Sequence, residues 1–329
     1  MRMKETRKYT RKCPQCGQKL VRNGTENSKQ RWRCLPCGTA RIRPRPDVAD
    51  SNRRKTYTKH LTGKTTATEV AHSKGISRRT FDRNYTVRFH PTVGVEKPPS
   101  HTPWIVIDAK CLNQGIVAIV RTAAGRLSWR YAPYESSEVW LRLFTTYPTV
   151  LGIVSDGQKG IQKAARICYG DAIILQRCHF HVKQNLQTKL TKHPATAAGQ
   201  DLQALAQWLA RVTTWDDMAL FVGVFYGLYA VYEPFLTQRT YHDENKRRWS
   251  YTHVRVRSAY RQIDTLITTD QLFAYITHPE LGLPHTTNHI EGGLNARISE
   301  LCRAHRGLLP ERQRVMIDEF LTSKQPVDR

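Results

Sequence analysis

The fold class this sequence predicts is an α/β core, interrupted by an all-α insertion and preceded by two small basic modules. Three observations predict it. Two C-x2-C pairs, four of the eight cysteines, are confined to residues 13–37. From Trp104 the chain runs through short apolar segments, strand-like at first and then alternating with amphipathic helical ones. From residue 183 to about residue 283 it reads as helical throughout. A chain of 329 residues, 40% of them hydrophobic, is long enough to bury more than one core.

Charge is divided in the same way. Residues 1–100 hold 25 Lys and Arg against 7 Asp and Glu, while the other 229 hold 27 against 20. A net +18 on the first third, interleaved with Trp32, Tyr57, Phe81 and Tyr85, predicts folded modules that bind nucleic acid, not a solubilising tail. No stretch reads as a signal peptide. The longest uncharged run, Met218 to Tyr232, has 15 residues, against the roughly 20 that cross a bilayer. The expectation is a soluble cytoplasmic protein with no membrane partner.

Residues 1–47 read as the first module. In CPQCGQKLVRNGTENSKQRWRCLPCG, Cys13 and Cys16 are matched by Cys34 and Cys37 after 17 intervening residues, and a glycine follows each pair. Four thiolates at this spacing suit tetrahedral Zn²⁺ in a closed structural site. QKLVRNG and QRWRC are expected to pair as a hairpin about Asn23-Gly24. RIRPRPD, residues 41–47, reads as a link.

Residues 48–103 form the second module and a linker. In TTATEVAHSKGISRRTFDRNY, Ala67, Val70 and Ala71 give a first helix its apolar face, and Gly75 and Ile76 make a turn. Ser77 is the expected N-cap of a second helix carrying Arg78, Arg79 and Arg83. That is the helix-turn-helix arrangement, whose second helix enters the major groove. HPTVGVEKPPSHTP, residues 90–103, reads as an interdomain linker.

Residues 104–182 open the core. WIVID, GIVAIV and RLSWRYA are three strands separated by NQG and AAG turns. A helix (SEVWLRLFTTY), a strand (VLGIVSD), a helix (GIQKAARICYG) and a strand (AIILQRCHF) follow. Three strands and then alternation is the order of the ribonuclease H-like fold. In the insertion, residues 183–283, Leu202, Leu205 and Leu209 share one helix face and Thr214 with Asp217 spaces a capping box. MALFVGVFYGLYAVY is apolar all round, so it is expected to lie buried within a bundle. Residues 284–329 close the core with further helices.

Asp108 is expected to end the first strand of the core and Asp156 the fourth. Those strands lie side by side in a ribonuclease H-like sheet, and Glu291 in TTNHIEGGLN supplies a third carboxylate from a helix. Carboxylates are the hard ligands Mg²⁺ prefers. Two ions about 4 Å apart activate an attacking oxygen and stabilise a leaving one at a phosphodiester. Each acid also has a plainer explanation: aspartates are common in turns, and Asn288 with Glu291 has the spacing of a capping box. Fold order is what joins them.

VIDAK, VSDGQKGI, RCHFHVKQN and TTNHIEGGLN, in that order and around a helical insertion, resemble the DDE transposases of the Mutator-related class found in bacterial insertion sequences. The resemblance covers residues 104 to about 310, and the two modules ahead of it are similar to the end-binding region of one branch. It implies Asp108, Asp156 and Glu291 as a catalytic triad holding two Mg²⁺. Cys178 and His181 match the family's C-x2-H motif; with no second ligand pair nearby in sequence, they are expected to seat the insertion beside the site and not to bind metal. Trp249, preceded by Lys246, Arg247 and Arg248, falls where related transposases place a tryptophan near the transposon end. There it would stack an unpaired base; the alternative is a bundle-core tryptophan. Asn295, one turn beyond Glu291, is placed to orient that carboxylate; the alternative is a polar residue on the helix surface.

The expected protein therefore binds the terminal inverted repeats of its element through residues 1–100, cuts and joins double-stranded DNA at transposon ends and target, and works on the bacterial nucleoid as a dimer or larger assembly. Two other functions fit the same sequence: a nuclease of this fold that cuts without joining, and a DNA-binding regulator whose body only dimerises.

Overall fold

The structure, a computed structural model, describes residues 12–13, 15–26, 29–42, 46–86, 102–242 and 248–326. The chain forms two compact units, one of residues 1–60 and 65–89 and the other of residues 61–64 and 90–329.

In the first unit, β1 (Leu20–Glu26) pairs with β2 (Lys29–Cys34), and β2 with β3 (Ala40–Ile42), all antiparallel. Glu26 faces Lys29, so β1 stays paired beyond Asn23-Gly24 and the chain does not reverse there. The register slips between Arg22 and Thr25, and Gly24 adopts a φ of +69°. The expected turn is thus a bulge, for which a glycine in the left-handed region is suited. The link expected at residues 41–47 is largely taken up by β3 and by the start of α1 (Pro46–Leu61). Sequence periodicity missed α1 because PDVADSNRRKTYTKHL has too few apolar residues to show one.

The helix-turn-helix is present. α2 (Ala67–Ser73) opens with a complete capping box: the Glu69 amide donates to the Thr66 hydroxyl and the Thr66 amide to the Glu69 carboxylate. Gly75, at φ +64°, makes the turn. Ser77 caps α3 (Arg78–Phe81), which runs on as a π-helical turn over Asp82–Thr86. Phe81 is buried among Tyr57, His60 and Tyr85, with ring centroids 6.4, 5.5 and 4.8 Å away. The linker expected at residues 90–103 lies, up to residue 101, outside the described residues.

The second unit is built on a five-stranded sheet. β4 (Trp104–Cys111), β5 (Ile116–Thr122) and β6 (Leu127–Ala132) form an antiparallel meander, and β7 (Gly152–Ser155) and β8 (Ile174–Arg177) extend it in parallel. The order β6-β5-β4-β7-β8 is that of the ribonuclease H-like fold. Alternate residues Ile105, Ile107, Ala118, Val120 and Ile153 fill one face beneath α4 (Ser137–Phe144) and α5 (Lys159–Tyr169). Trp140 and Phe144 are fully buried there, each such side chain stabilising the fold by about 1.5–3 kcal/mol.

The insertion comprises α6 (His179–Leu190), α7 (Ala197–Trp208), α8 (Trp215–Thr237), a two-stranded ribbon of β9 (Arg239–Tyr241) and β10 (Trp249–Tyr251), α9 (Val254–Thr268) and α10 (Ala274–Thr277). Among the described residues, its regular structure is helical apart from that ribbon. Leu202, Leu205 and Leu209 join its core with Leu186, Phe225 and Tyr260, and Thr214 and Asp217 make the expected capping box. The expectation for α8 does not hold in full. Phe221, Phe225 and Leu236 are buried, but Leu220 and Val231 are 59% and 71% exposed. At 23 residues, α8 is also long and apolar enough, by length and composition, to cross a membrane. Counting only the uncharged run missed this, because the helix extends past Asp217 and Glu233.

A π-helical turn over His289–Asn295 leads into α11 (Ala296–Ala304), and α12 (Pro310–Thr322) follows. Trp129 and Tyr131 of β6 both donate to Asp318 of α12, at 2.7 and 2.8 Å.

Candidate active site

Asp108 does not end its strand, as the sequence suggested. β4 continues to Cys111, and Asp108 stands opposite Ile119 of β5. On its other side, however, β4 pairs with β7 only as far as Val106 opposite Val154. Asp108 therefore lies where β7 has already ended, and Asp156 follows the last residue of β7 directly. Two carboxylates from adjacent parallel strands thus leave the sheet at one end.

Glu291 comes from the π-helical turn. Asn288 makes no side-chain cap to it, which corrects the capping-box reading. Thr287 contacts Glu291 instead: its carbonyl accepts the Glu291 amide at 3.0 Å, and its hydroxyl lies 3.5 Å from the Glu291 carboxylate. Asn295 is also placed differently from expectation. Its Nδ2 donates to Asp108 Oδ2 at 2.6 Å, so it orients the first carboxylate and not Glu291. The Ala109 amide donates to Asp108 Oδ1, and the Gln158 amide to Asp156 Oδ1.

Burial, and then the nearby charges of Glu291 and Asp156, push the Asp108 carboxyl up to about 6 against the pull of His181. A carboxylate strained by like charges is what a hard cation would relieve, so the donor set suits Mg²⁺. The three acids do not close on a single ion. Among the described residues, the groups of three or more ligand atoms within 4.8 Å of one another are Cys13, Cys16, Cys34 and Cys37, and Cys178, His181 and Glu291.

The first of these groups is the expected zinc cluster. Cys13 Sγ lies 3.5 Å from Cys37 Sγ, and Cys16 Sγ 3.3 Å from Cys34 Sγ. Zinc–thiolate bonds of about 2.3 Å require sulfurs about 3.8 Å apart in a tetrahedron, so the cluster fits Zn²⁺.

In the second group, Cys178 is buried at the start of α6, and its sulfur takes the Thr287 amide and meets the Thr287 hydroxyl, both at 3.2 Å. His181 Nε2 lies 3.7 Å from Glu291 Oε1. Burial opposes a charge on His181, but Cys178, Glu291 and Asp108 outweigh it and push the imidazole up to about 9. Burial likewise opposes the Cys178 thiolate, yet His181 and Thr287 bring it below the ordinary thiol value.

Other expected contacts lie elsewhere. Arg78, Arg79 and Arg83 are exposed on α3 and the turn after it, Arg78 paired with Asp82 at 3.0 Å. Trp249 is half-buried on the β9–β10 ribbon, not in the bundle core. The Arg239 guanidinium lies 4.1 Å from its ring, and Tyr251 packs against it edge-on. Lys246 and Arg247 lie outside the described residues.

Sequence reasoning missed Thr287, Glu135 and Arg177. Glu135 accepts from Gln158 and Trp140, and its carboxyl is raised by burial and then by Asp156. Arg177 donates to the Gly157 carbonyl at 2.7 Å, holding the turn behind Asp156. Only Thr287, in the TTN run, carried any local signal.

No family model and no curated protein matches the sequence. Among solved structures, the catalytic core domain of BIV integrase matches 50% of this chain and 99% of its own, at 14% identity and a TM-score of 0.20. So loose a likeness adds nothing to what the strand order shows.

Proposed function

We propose that the chain is a DDE transposase that binds the terminal inverted repeats of its own element through residues 1–100. It cuts and joins DNA strands at the site that Asp108, Asp156 and Glu291 line. The observation that carries this is the parallel pairing of β4 with β7, which sets two carboxylates from neighbouring strands at one sheet end, within electrostatic reach of Glu291.

Mg²⁺ held by these carboxylates would supply Lewis-acid activation of the attacking oxygen and charge stabilisation of the leaving one. The chain's own part is positioning. Asn295 and the Ala109 amide fix both oxygens of Asp108, the Gln158 amide fixes Asp156, and Thr287 steadies Glu291. Arg78, Arg79 and Arg83 bring positive charge to DNA phosphates, an attraction that weakens as salt rises. Two ends must be joined in one event, so a dimer or larger assembly is expected.

The test is a plasmid mobilisation assay with the gene and its flanking noncoding DNA, supplied as intact protein or as Asp156→Asn. Movement with the first and none with the second supports the proposal, while equal movement removes Asp156 from the chemistry. Cleavage without joining identifies a nuclease, and end-binding without cleavage a regulator.

A further inference from the structure

The C-x2-H pair has no second pair near it in sequence, but the fold brings it a third ligand. We infer that Cys178, His181 and Glu291 form an open transition-metal site, matched to Zn²⁺, beside the carboxylates and separate from the four-cysteine cluster. Their ligand atoms lie within 4.8 Å of one another. A thiolate, an imidazole and a carboxylate are the donor types zinc takes, and three protein ligands leave a fourth position for water. Magnesium does not select sulfur or nitrogen, so the site discriminates against the hard cation of the acidic trio.

Its surroundings are those of a metal site. Thr287 donates its amide to the Cys178 sulfur and lies beside Glu291, orienting two ligands from behind. Tetrahedral zinc needs ligand atoms about 3.3–3.6 Å apart, and the His181–Glu291 separation of 3.7 Å is almost there. Because Glu291 belongs to both sets, zinc here competes with a hard cation for it. That consequence rests on the proposed function; the site itself does not.

The full chain would be loaded with ¹¹³Cd²⁺, desalted, and examined by cadmium NMR and metal analysis. Two metals per chain are expected, giving one resonance typical of four sulfurs and another typical of mixed sulfur, nitrogen and oxygen ligation. Cys178→Ser and His181→Ala should each abolish the second signal and leave the first. His181→Ala retains the Thr287 contacts of Cys178, so it decides the matter should Cys178→Ser misfold. A single four-sulfur resonance in the unaltered chain, or a second signal that survives His181→Ala, overturns the inference.

Discussion

The cysteine cluster and the carboxylate site are assembled over opposite distances. Cys13, Cys16, Cys34 and Cys37 come from 25 consecutive residues, and the sulfurs of Cys13 and Cys37, Cys16 and Cys34, and Cys16 and Cys37 already lie 3.3–3.5 Å apart. Asp108, Asp156 and Glu291 span more than half the chain, are steadied by backbone amides and by Thr287 and Asn295, and do not close on one point. At the first, a bound metal would make the fold. In the second the fold holds mutually repelling charges at a cost, as active sites do.

Removing a ligand from each site should therefore move stability in opposite directions. The largest effect belongs to Cys34→Ser. Structural zinc contributes on the order of 10 kcal/mol to so small a module, so residues 12–42 should lose protected amides and zinc while the sheet unit keeps its own. Hydrogen exchange of both units in one sample reads this; protection retained in β1 and β2 would break the comparison.

Asp108→Asn comes next. Its carboxyl holds a proton to about pH 6 in the folded chain but only to its ordinary value of 3.8 when unfolded. Between those values the folded state binds more protons, so this group's contribution to stability falls as pH rises. Without divalent metal, the variant should be more stable than the parent by up to about 3 kcal/mol at pH 8, and the gain should vanish below about pH 4. Strand cleavage should meanwhile fall by several kcal/mol, on the order of a thousandfold. Thermal denaturation at the two pH values, beside a cleavage assay, checks both halves. His181, Glu291 and Asp156 are the neighbouring charges, so a double variant with Glu291→Gln should show a smaller gain than the sum.

Gly157→Ala is the smallest of the three. Gly157 has a φ of +77°, and an added Cβ would collide with the Arg177 guanidinium, which donates to the Gly157 carbonyl. A loss of about 1–3 kcal/mol is expected, with weaker cleavage because Asp156 is the preceding residue. Unchanged denaturation and cleavage would mean that the turn does not position the acid.

What was legible in the sequence follows the same division. Local signals held: the two C-x2-C pairs, the Ser77 and Thr214 caps, and the order of strands and helices in the core. Signals needing a partner did not. Asn23-Gly24 looks like a turn, but β1 continues past it to pair Glu26 with Lys29, which leaves a bulge there. Polar α1 has no periodicity to read, and α8 shows its apolarity without showing which side is covered. At the site, the three acids could be named, yet Asn295 bonds Asp108 across 187 residues, and Glu291 joins Cys178 and His181 through folding alone. No spacing rule carries a contact of that separation.

Asp318 shows what such separation means in time. It receives both Trp129 and Tyr131, and Trp129 precedes it by 189 residues. At a synthesis rate of about 5–20 residues per second, the meander waits roughly 10–40 s for that acceptor. Through that interval the edge strand β6 has two polar side chains without their acceptor, and for most of it Glu291 is not yet made. Under the proposed function, a ribosome working beside the element's own gene holds no cutting activity until the helix that closes the sheet has emerged.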